Sequence, residues 1–549
     1  MKTTWVSPAK QITGLDHLAV QAVSEHLFSE MLPGLTNVTP RVRCYSFYAW
    51  FVWAFDQREK KKTVSDLIHL FRRAECLHTL IGIYHELETG DEWLHGGGLV
   101  GRDVLVGAAE KIHAGGSVKL SHFAVLESDQ GDRYFKHRLG GLGQYYLGPL
   151  KELLVLDGDS KRGLRYTEEW GATLAEIYER SVDRSAFFNA IEADRVDADV
   201  LKSLRAFCPC RLRSNQKERE ALIELMFLQG KGALVQQFGE QRRASLLALL
   251  GYAKSVDTAT PGAVDVDPFL SVAYSDPAPA KSKWVMPAEL TPAMEAWGVY
   301  QRHELLSTAM QGLFWAGLSA LLDEGGHASD TTAFSEWFAD RFENALGPKP
   351  KQASFASFVG ARLDSQPPLD DWQSAQHELS LSVALMDAQK QKKRDEVVSL
   401  ALRILASLIA RDAGRSGYGR FELTDRFLKT YEINLVSLRS HADGTWKDLS
   451  GRDWLKWLSG RWLLGIHLRV ALRKLRHQTQ DSFQIVPMED GLWVRDNPPT
   501  ARWSQPRLGS ALRFLFDLGL LKLDEKAEGR PYLLSDEGAA LLERELGKA

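Results

Sequence analysis

Residues 44–55 read CYSFYAWFVWAF, with seven aromatic side chains in twelve positions: Tyr45, Phe47, Tyr48, Trp50, Phe51, Trp53 and Phe55. The approach, LPGLTNVTP, is rich in turn formers. Thr39 then reads as an N-cap and Pro40 as the first helical residue. The predicted helix runs from about Pro40 to Gln57. Its apolar residues fall on every face, and a helix that is apolar all round is a buried one. Its ends are basic: Arg41 and Arg43 in front, Arg58, Lys60, Lys61 and Lys62 behind. The reading is a central core helix in a helical domain. An aromatic platform for bases is the lesser reading, because stacking needs exposed ring faces.

The surrounding chain has 549 residues, too many for one hydrophobic core. At 44% apolar and 25% charged it has an ordinary globular composition. A net charge of -3 gives no global field toward nucleic acid, so any such binding depends on local patches. Four cysteines make no disulfide framework. Cys208 and Cys210, in FCPCRL, have the C-x-C spacing of a metal hint. A zinc site takes four ligands, and no second Cys/His pair has finger-like spacing, so no metal and no cofactor is expected. The opening MKTTWVSPAKQITG has no apolar stretch of signal-peptide length, and no segment is read as a membrane span. The expectation is a cytoplasmic protein with no membrane partner.

Amphipathic patterns at 15–32 and 64–88 flank the aromatic helix, giving an N-terminal helical domain over 1–130. Helical periodicity returns over 183–254. Residues 255–291 hold five prolines and few apolar runs, and read as a linker or excursion. A helical domain follows over 292–478, interrupted by the glycine-rich RDAGRSGYGRF and ending in a basic helix. Within it, MEAWGVYQRHELLSTAMQGLFWAGLSALLDE is one long helix.

The most specific signal is internal. LLVLDGDSKRGLRYTEEWGATLAEIYER (153–180) and LLKLDEKAEGRPYLLSDEGAALLERE (520–545) share one pattern. Each opens with a short apolar strand ending in Asp157 or Asp524. A charged turn closes on Gly163 or Gly529, and a second strand carries Tyr166 or Tyr532. An amphipathic helix follows, with Gly171 or Gly538 in its first turn and Leu174 or Leu541 three residues on. That is a hairpin-plus-helix unit present twice. Before the second copy, WSQPRLGSALRFLFDLG reads as a helix with Leu508, Leu512, Leu515 and Leu518 on its buried stripe.

Helix, strand, wing, strand and helix in this order resemble a winged-helix domain, a relative of the helix-turn-helix. The resemblance covers about 500–549 well and about 131–182 less well. The expected fold class is therefore mainly α: a multidomain helical protein with two small α+β winged-helix-like modules, at 131–182 and 479–549. The resemblance implies a recognition helix at 505–518 that would lie in the major groove. Arg507, Ser510 and Arg513 recur every third residue on one face, the chemistry that would read bases. The first wing offers Lys161, Arg162 and Arg165 for phosphates, against Asp157 and Asp159. The second wing is acidic, with Asp524, Glu525 and Glu528 outnumbering Lys526 and Arg530. From Gly451 to Gln478 there are seven basic residues and one acid. Arg469, Arg473 and Arg476 share one helical face beside Lys474, a pattern suited to tracking phosphates.

Catalytic readings are weaker. Asp157 and Asp159 on a strand resemble the magnesium-holding pattern of Toprim domains, but no preceding strand supplies the glutamate that fold uses. Glu75/His78 and Glu110/His113 have E-x-x-H spacing, and His85 and Glu86 extend the first stripe. Fifteen histidines produce such a pair by chance. No Walker A, H-E-x-x-H or G-x-S-x-G motif occurs. HGGGLVGRD (95–103) looks like the oxyanion-hole loop of lipases without its nucleophile, and reads as a flexible loop. GGLGQYYLG does not follow a strand, as a dinucleotide fingerprint must. The expected function is a non-catalytic DNA-binding component of a multi-protein assembly, bound to double-stranded DNA and to protein partners. Bacterial genome maintenance or antiviral defence is the expected setting. The alternatives are a protein–protein scaffold and a metal-dependent nuclease.

Overall fold

The aromatic run folds as the helix Arg43–Asp56, with twelve of its fourteen residues buried. It starts three residues later than its sequence suggests. The Thr39 hydroxyl closes its own turn instead, accepting from Thr36 N at 3.2 Å. Trp50 sits against Phe207 at 5.2 Å and Phe187 at 5.4 Å, and Phe51 against Phe71 at 5.3 Å. Edge-to-face contacts of this kind add to the burial of ring area.

This computed structural model describes residues 10–11, 16–58, 63–127, 131–159, 163–228, 239–256, 264–275, 287–412, 431–478, 480–524 and 532–547. Helix makes up 66% of it, about twice the share usual in globular proteins, and the strands are few and short. The fold class is mainly α. Six consecutive segments were expected, but the chain forms two compact units, each built from three separated stretches. One comprises Met1–Phe28, Leu270–Ser282 and Met294–Gln505; the other comprises Ser29–Phe269, Lys283–Ala293 and Pro506–Ala549. The expected C-terminal module, 479–549, is thus divided at Gln505. The expected linker, 255–291, contains the helix Val266–Tyr274; its residues 257–263 and 276–286 lie outside the described set. Most of the glycine-rich break, 413–421, lies outside it too.

In the aromatic unit, the 26-residue helix Val64–Thr89 packs beside the aromatic helix. It begins with a Thr63/Asp66 capping box and ends at Gly90, whose φ of 75° suits a glycine stop. Both copies of the repeated pattern are antiparallel hairpins followed by a helix. Leu156–Asp159 pairs with Gly163–Tyr166, and Leu521–Leu523 with Tyr532–Leu534. Helices Gly171–Glu179 and Asp536–Leu546 follow. The local bonding repeats as well. Thr167 N donates to Val155 O and Ser535 N to Leu520 O. The Thr167 and Ser535 hydroxyls each accept from the N–H of Gly171 or Gly538 at 3.0 Å. A Cβ on Gly171 would lie 2.3 Å from Val155 O, and one on Gly538 2.1 Å from Leu520 O, so both positions admit only glycine. These bonds match Val155 with Leu520, whereas the sequence match set Leu153 against Leu520. A slip of two keeps every side chain on its face, and for that reason the periodicity concealed it.

The other unit holds a tryptophan cluster, with Trp446 5.0 Å from Trp462 and 5.2 Å from Trp457. It also holds a three-stranded antiparallel sheet of His327–Ala328, Gly491–Val494 and Ile485–Met488. Contrary to the sequence reading, one helical stretch among the described residues, Ala288–Asp323, is long and apolar enough to cross a membrane. Its best window is 89% buried, as the core helix of a globular unit is.

Candidate metal centre and candidate nucleic-acid surface

In the aromatic unit, a helix end, the loop that follows it and a C-x-C segment more than a hundred residues downstream bring four metal-ligating side chains to one place. His85 stands on the last turns of Val64–Thr89. The chain turns at Gly90 and comes back to present His95. Cys208 caps the 3-10 segment Pro209–Ser214, which carries Cys210. The four donor atoms lie within 4.8 Å of one another. His95 Nδ1 is 3.4 Å from Cys208 Sγ, and His85 Nδ1 is 3.6 Å from Cys210 Sγ. Cys208 and His95 are buried, and Cys210 is half-buried. Hydrogen bonding from Cys208, then from His85 and His95, holds the Cys210 thiol far below its ordinary range despite burial. Burial pushes Cys208 up, and the neighbouring Cys210 adds to the rise.

Two buried arginines at the start of the aromatic helix fix the segments that carry these donors. Arg41 donates to the carbonyls of Trp93 (3.3 Å), Leu94 (3.0 Å), His95 (3.5 Å) and Gly97 (3.2 Å). Its Nε reaches Asp517 at 3.0 Å. Arg43 donates to Ala206 O and Cys208 O and pairs with Glu218. A buried guanidinium is tolerable only when its charge is paired and most of its N–H groups are answered; here Asp517 and Glu218 supply the charge and the loop carbonyls most of the acceptors. HGGG is thus a held loop rather than a flexible one. Gly98, at φ 80°, lets it pass Pro40, where a Cβ would approach to 2.6 Å.

The helix expected to read bases serves this same centre from inside. Nine of the ten residues of Leu508–Asp517 are buried, Ser510 and Arg513 among them. Arg513 lies 4.0 Å over the Trp93 ring and 3.4 Å from Asp517. Arg507 donates to Leu32 O at 2.9 Å and Ser29 Oγ at 3.1 Å. Ser510 and Arg513 are therefore turned into the unit, with Arg507 half-buried at its edge, a placement unlike the exposed groove-reading face expected there. Spacing of three gave the stripe, but the opposite stripe is apolar too, so both are covered. On the first wing, Arg165 is exposed across from Asp157; Lys161 and Arg162 lie outside the described residues, as do Glu525, Lys526, Glu528 and Arg530.

In the tryptophan unit, the basic helix Ile466–Gln478 sorts its charges unevenly. Arg469 pairs with Glu432 through both terminal guanidinium nitrogens, Nη1 and Nη2, and Arg461 approaches the same acid at 3.8 Å. Lys474 donates to Asp16 O at 2.8 Å, and burial lowers its amine below the usual lysine range. Upstream, Arg452 pairs with Asp340 at 2.7 Å and Lys456 with Glu336 at 3.0 Å. Arg473 is exposed, 5.9 Å from the Tyr431 ring, and Arg476 is exposed beside it. Leu472 and Leu475 are exposed beside them, at 56% and 37%.

The acids weighed for catalysis are placed otherwise. Glu75 accepts from Tyr48 OH (2.6 Å), Tyr134 OH (2.5 Å), Gly141 N (2.8 Å) and Leu142 N (3.2 Å). His78 stacks on Phe47 at 4.1 Å, and burial lowers its pKa to about 3. Asp157 and Asp159 stand on one strand of an antiparallel hairpin, not on the parallel strand a Toprim fold requires. Among the described residues, the grouping of His85, His95, Cys208 and Cys210 is the one found with metal-holding geometry. The sequence reading had half of each piece, with His85 on the Glu75 stripe and the C-x-C pair standing alone. The tight glycine run after His95, which marks a loop held against something, was the usable signal for the rest. Comparison with protein-family models, with curated proteins and with solved structures returned no match to this chain.

Proposed function

We propose that this chain is a non-catalytic, nucleic-acid-binding component of a larger assembly, with helix Ile466–Gln478 as its contact surface. The observation that carries the reading is the exposure of Arg473 and Arg476 on one helical face, with Arg469 and Arg461 sharing a single acid beside them. Such a face exchanges condensed counterions for arginines, which gives affinity without base reading. Catalysis is left out of the proposal because Glu75 is saturated by four donors and His78 is stacked away from it. The winged-helix reading of the two hairpin-plus-helix units and the genome-maintenance or antiviral setting belong to the same proposal.

A second reading, a protein–protein scaffold, is favoured by the exposed Leu472 and Leu475, since apolar side chains among arginines also suit a protein partner. Binding of the full chain to a fluorescent duplex of about 30 base pairs across a salt series decides between them. Affinity that falls steeply with salt, and drops in Arg473→Ala/Arg476→Ala, supports the nucleic-acid reading. No binding at low salt overturns it in favour of the scaffold.

A further inference from the structure

We infer that His85, His95, Cys208 and Cys210 form a structural zinc site. The inference stands apart from the nucleic-acid reading, because its residues and those of the basic helix belong to different units.

Donor type comes first. Two thiols and two imidazoles suit zinc, while magnesium and calcium take oxygen donors. Geometry comes second. Zinc with sulfur at about 2.3 Å and nitrogen at about 2.0–2.1 Å places the corners of its tetrahedron about 3.3–3.8 Å apart. The observed sulfur–nitrogen separations, 3.4 and 3.6 Å, fall in that range. Both involve the Nδ1 atoms, so each ring offers a nitrogen toward a thiol. Support around the donors comes third. Arg41 holds the carbonyl of His95 and Arg43 that of Cys208, so the backbone of two ligands is set by side chains outside the metal shell. Outer bonds of this kind orient ligands.

Four protein donors close the coordination shell, which leaves no position for substrate and marks the site as structural. Binding displaces the thiol protons to solvent and leaves two thiolates on the metal, with no change of oxidation state. The site ties the end of one helix, the loop behind it and a segment more than a hundred residues downstream into one crosslink.

The test uses the full chain, purified without added metal and then given one equivalent of zinc in metal-free buffer. The expected result is about one tightly held zinc per chain by elemental analysis. Cobalt(II) in its place should show the visible bands of a tetrahedral thiolate site. Cys208→Ser/Cys210→Ser and His85→Gln/His95→Gln should each lose the metal and the bands. Cys210→Ser alone, at the half-buried edge, tests a milder change and should weaken zinc binding about tenfold or more. The wild-type measurements stand whether or not the variants fold. A wild-type chain with no stoichiometric zinc, octahedral cobalt spectra, or thiols that react equally fast with and without zinc would overturn the inference. The duplex assay above reads Arg473 and Arg476, so its failure leaves this result untouched.

Discussion

Two helices of this chain carry basic stripes that the sequence offers as binding faces, and they meet opposite fates. Leu508–Asp517 buries Arg513 against Trp93 and Asp517, while Ile466–Gln478 leaves Arg473 and Arg476 in solvent. Spacing alone does not separate them. The other faces do: Leu508, Leu512 and Leu515 are joined by Ala511, Phe514 and Phe516, so the first helix has no solvent side. The second has Leu472 and Leu475 exposed within its basic stripe. An arginine stripe is a binding surface only where the rest of the helix has somewhere else to be buried.

The comparison breaks most visibly at Arg41, which joins the buried helix to the His95 loop through Asp517. Arg41→Ala should cost about 3–5 kcal/mol in urea unfolding, since it removes one partner of a buried ion pair and leaves only Arg513 beside Asp517. A loss under 1 kcal/mol would mean that the helix and the loop are not held together. The core of the same unit has a pH signature. His78 has its pKa lowered from 6.5 to about 3 by burial first and then by Arg43 and Arg41. On acidification the unfolded chain takes up that proton first. Stability is therefore full above pH 6.5 and is lost as pH falls toward 3. His78→Phe should flatten unfolding midpoints across that window, and an unchanged profile would remove the buried neutral imidazole from the account.

Smaller effects separate the two helices directly. Arg513→Met should destabilise the fold by about 1–3 kcal/mol, through polar partners left unanswered, and leave duplex affinity unchanged. Arg473→Ala/Arg476→Ala should do the reverse: stability within about 0.5 kcal/mol, and a salt slope reduced by roughly 1.8 for two lost phosphate contacts. If Arg513→Met weakened duplex binding with stability intact, the buried helix would be open in solution. Glu432→Gln should give the finest change. It releases Arg469 and Arg461 from their shared acid, and duplex affinity should rise modestly while stability drops by about 0.2–1 kcal/mol.

Much of the fold was legible where local pattern and burial agree. The all-round apolar face of residues 44–55 announced a buried helix, and twelve of its residues are buried. Gly171 and Gly538 announced a repeated unit, and each meets the carbonyl of the residue just before a strand. The register between the copies was not legible, because a slip of two preserves side-chain alternation. Nor was the metal-ligating cluster. Its members come as a C-x-C pair and two histidines on either side of a glycine turn, and only tertiary packing brings them together. Arg41 and Arg43 were read as the basic end of a helix. Their charge pointed outward in sequence terms, while the carbonyls of residues 93–97 and 206–208 drew them in.

The reach of Arg41 to Asp517 has a consequence in time as well as in space. Residues 29–269 leave the ribosome well ahead of the segment from Pro506, with more than two hundred residues between them. At about 5–20 residues per second, synthesis of that stretch occupies on the order of ten to fifty seconds. For that interval the Arg41 guanidinium has its carbonyls but lacks its carboxylate, and the apolar seat of helix Leu508–Asp517 stands open. The nascent chain must therefore shelter an unfinished core while most of a second unit is made.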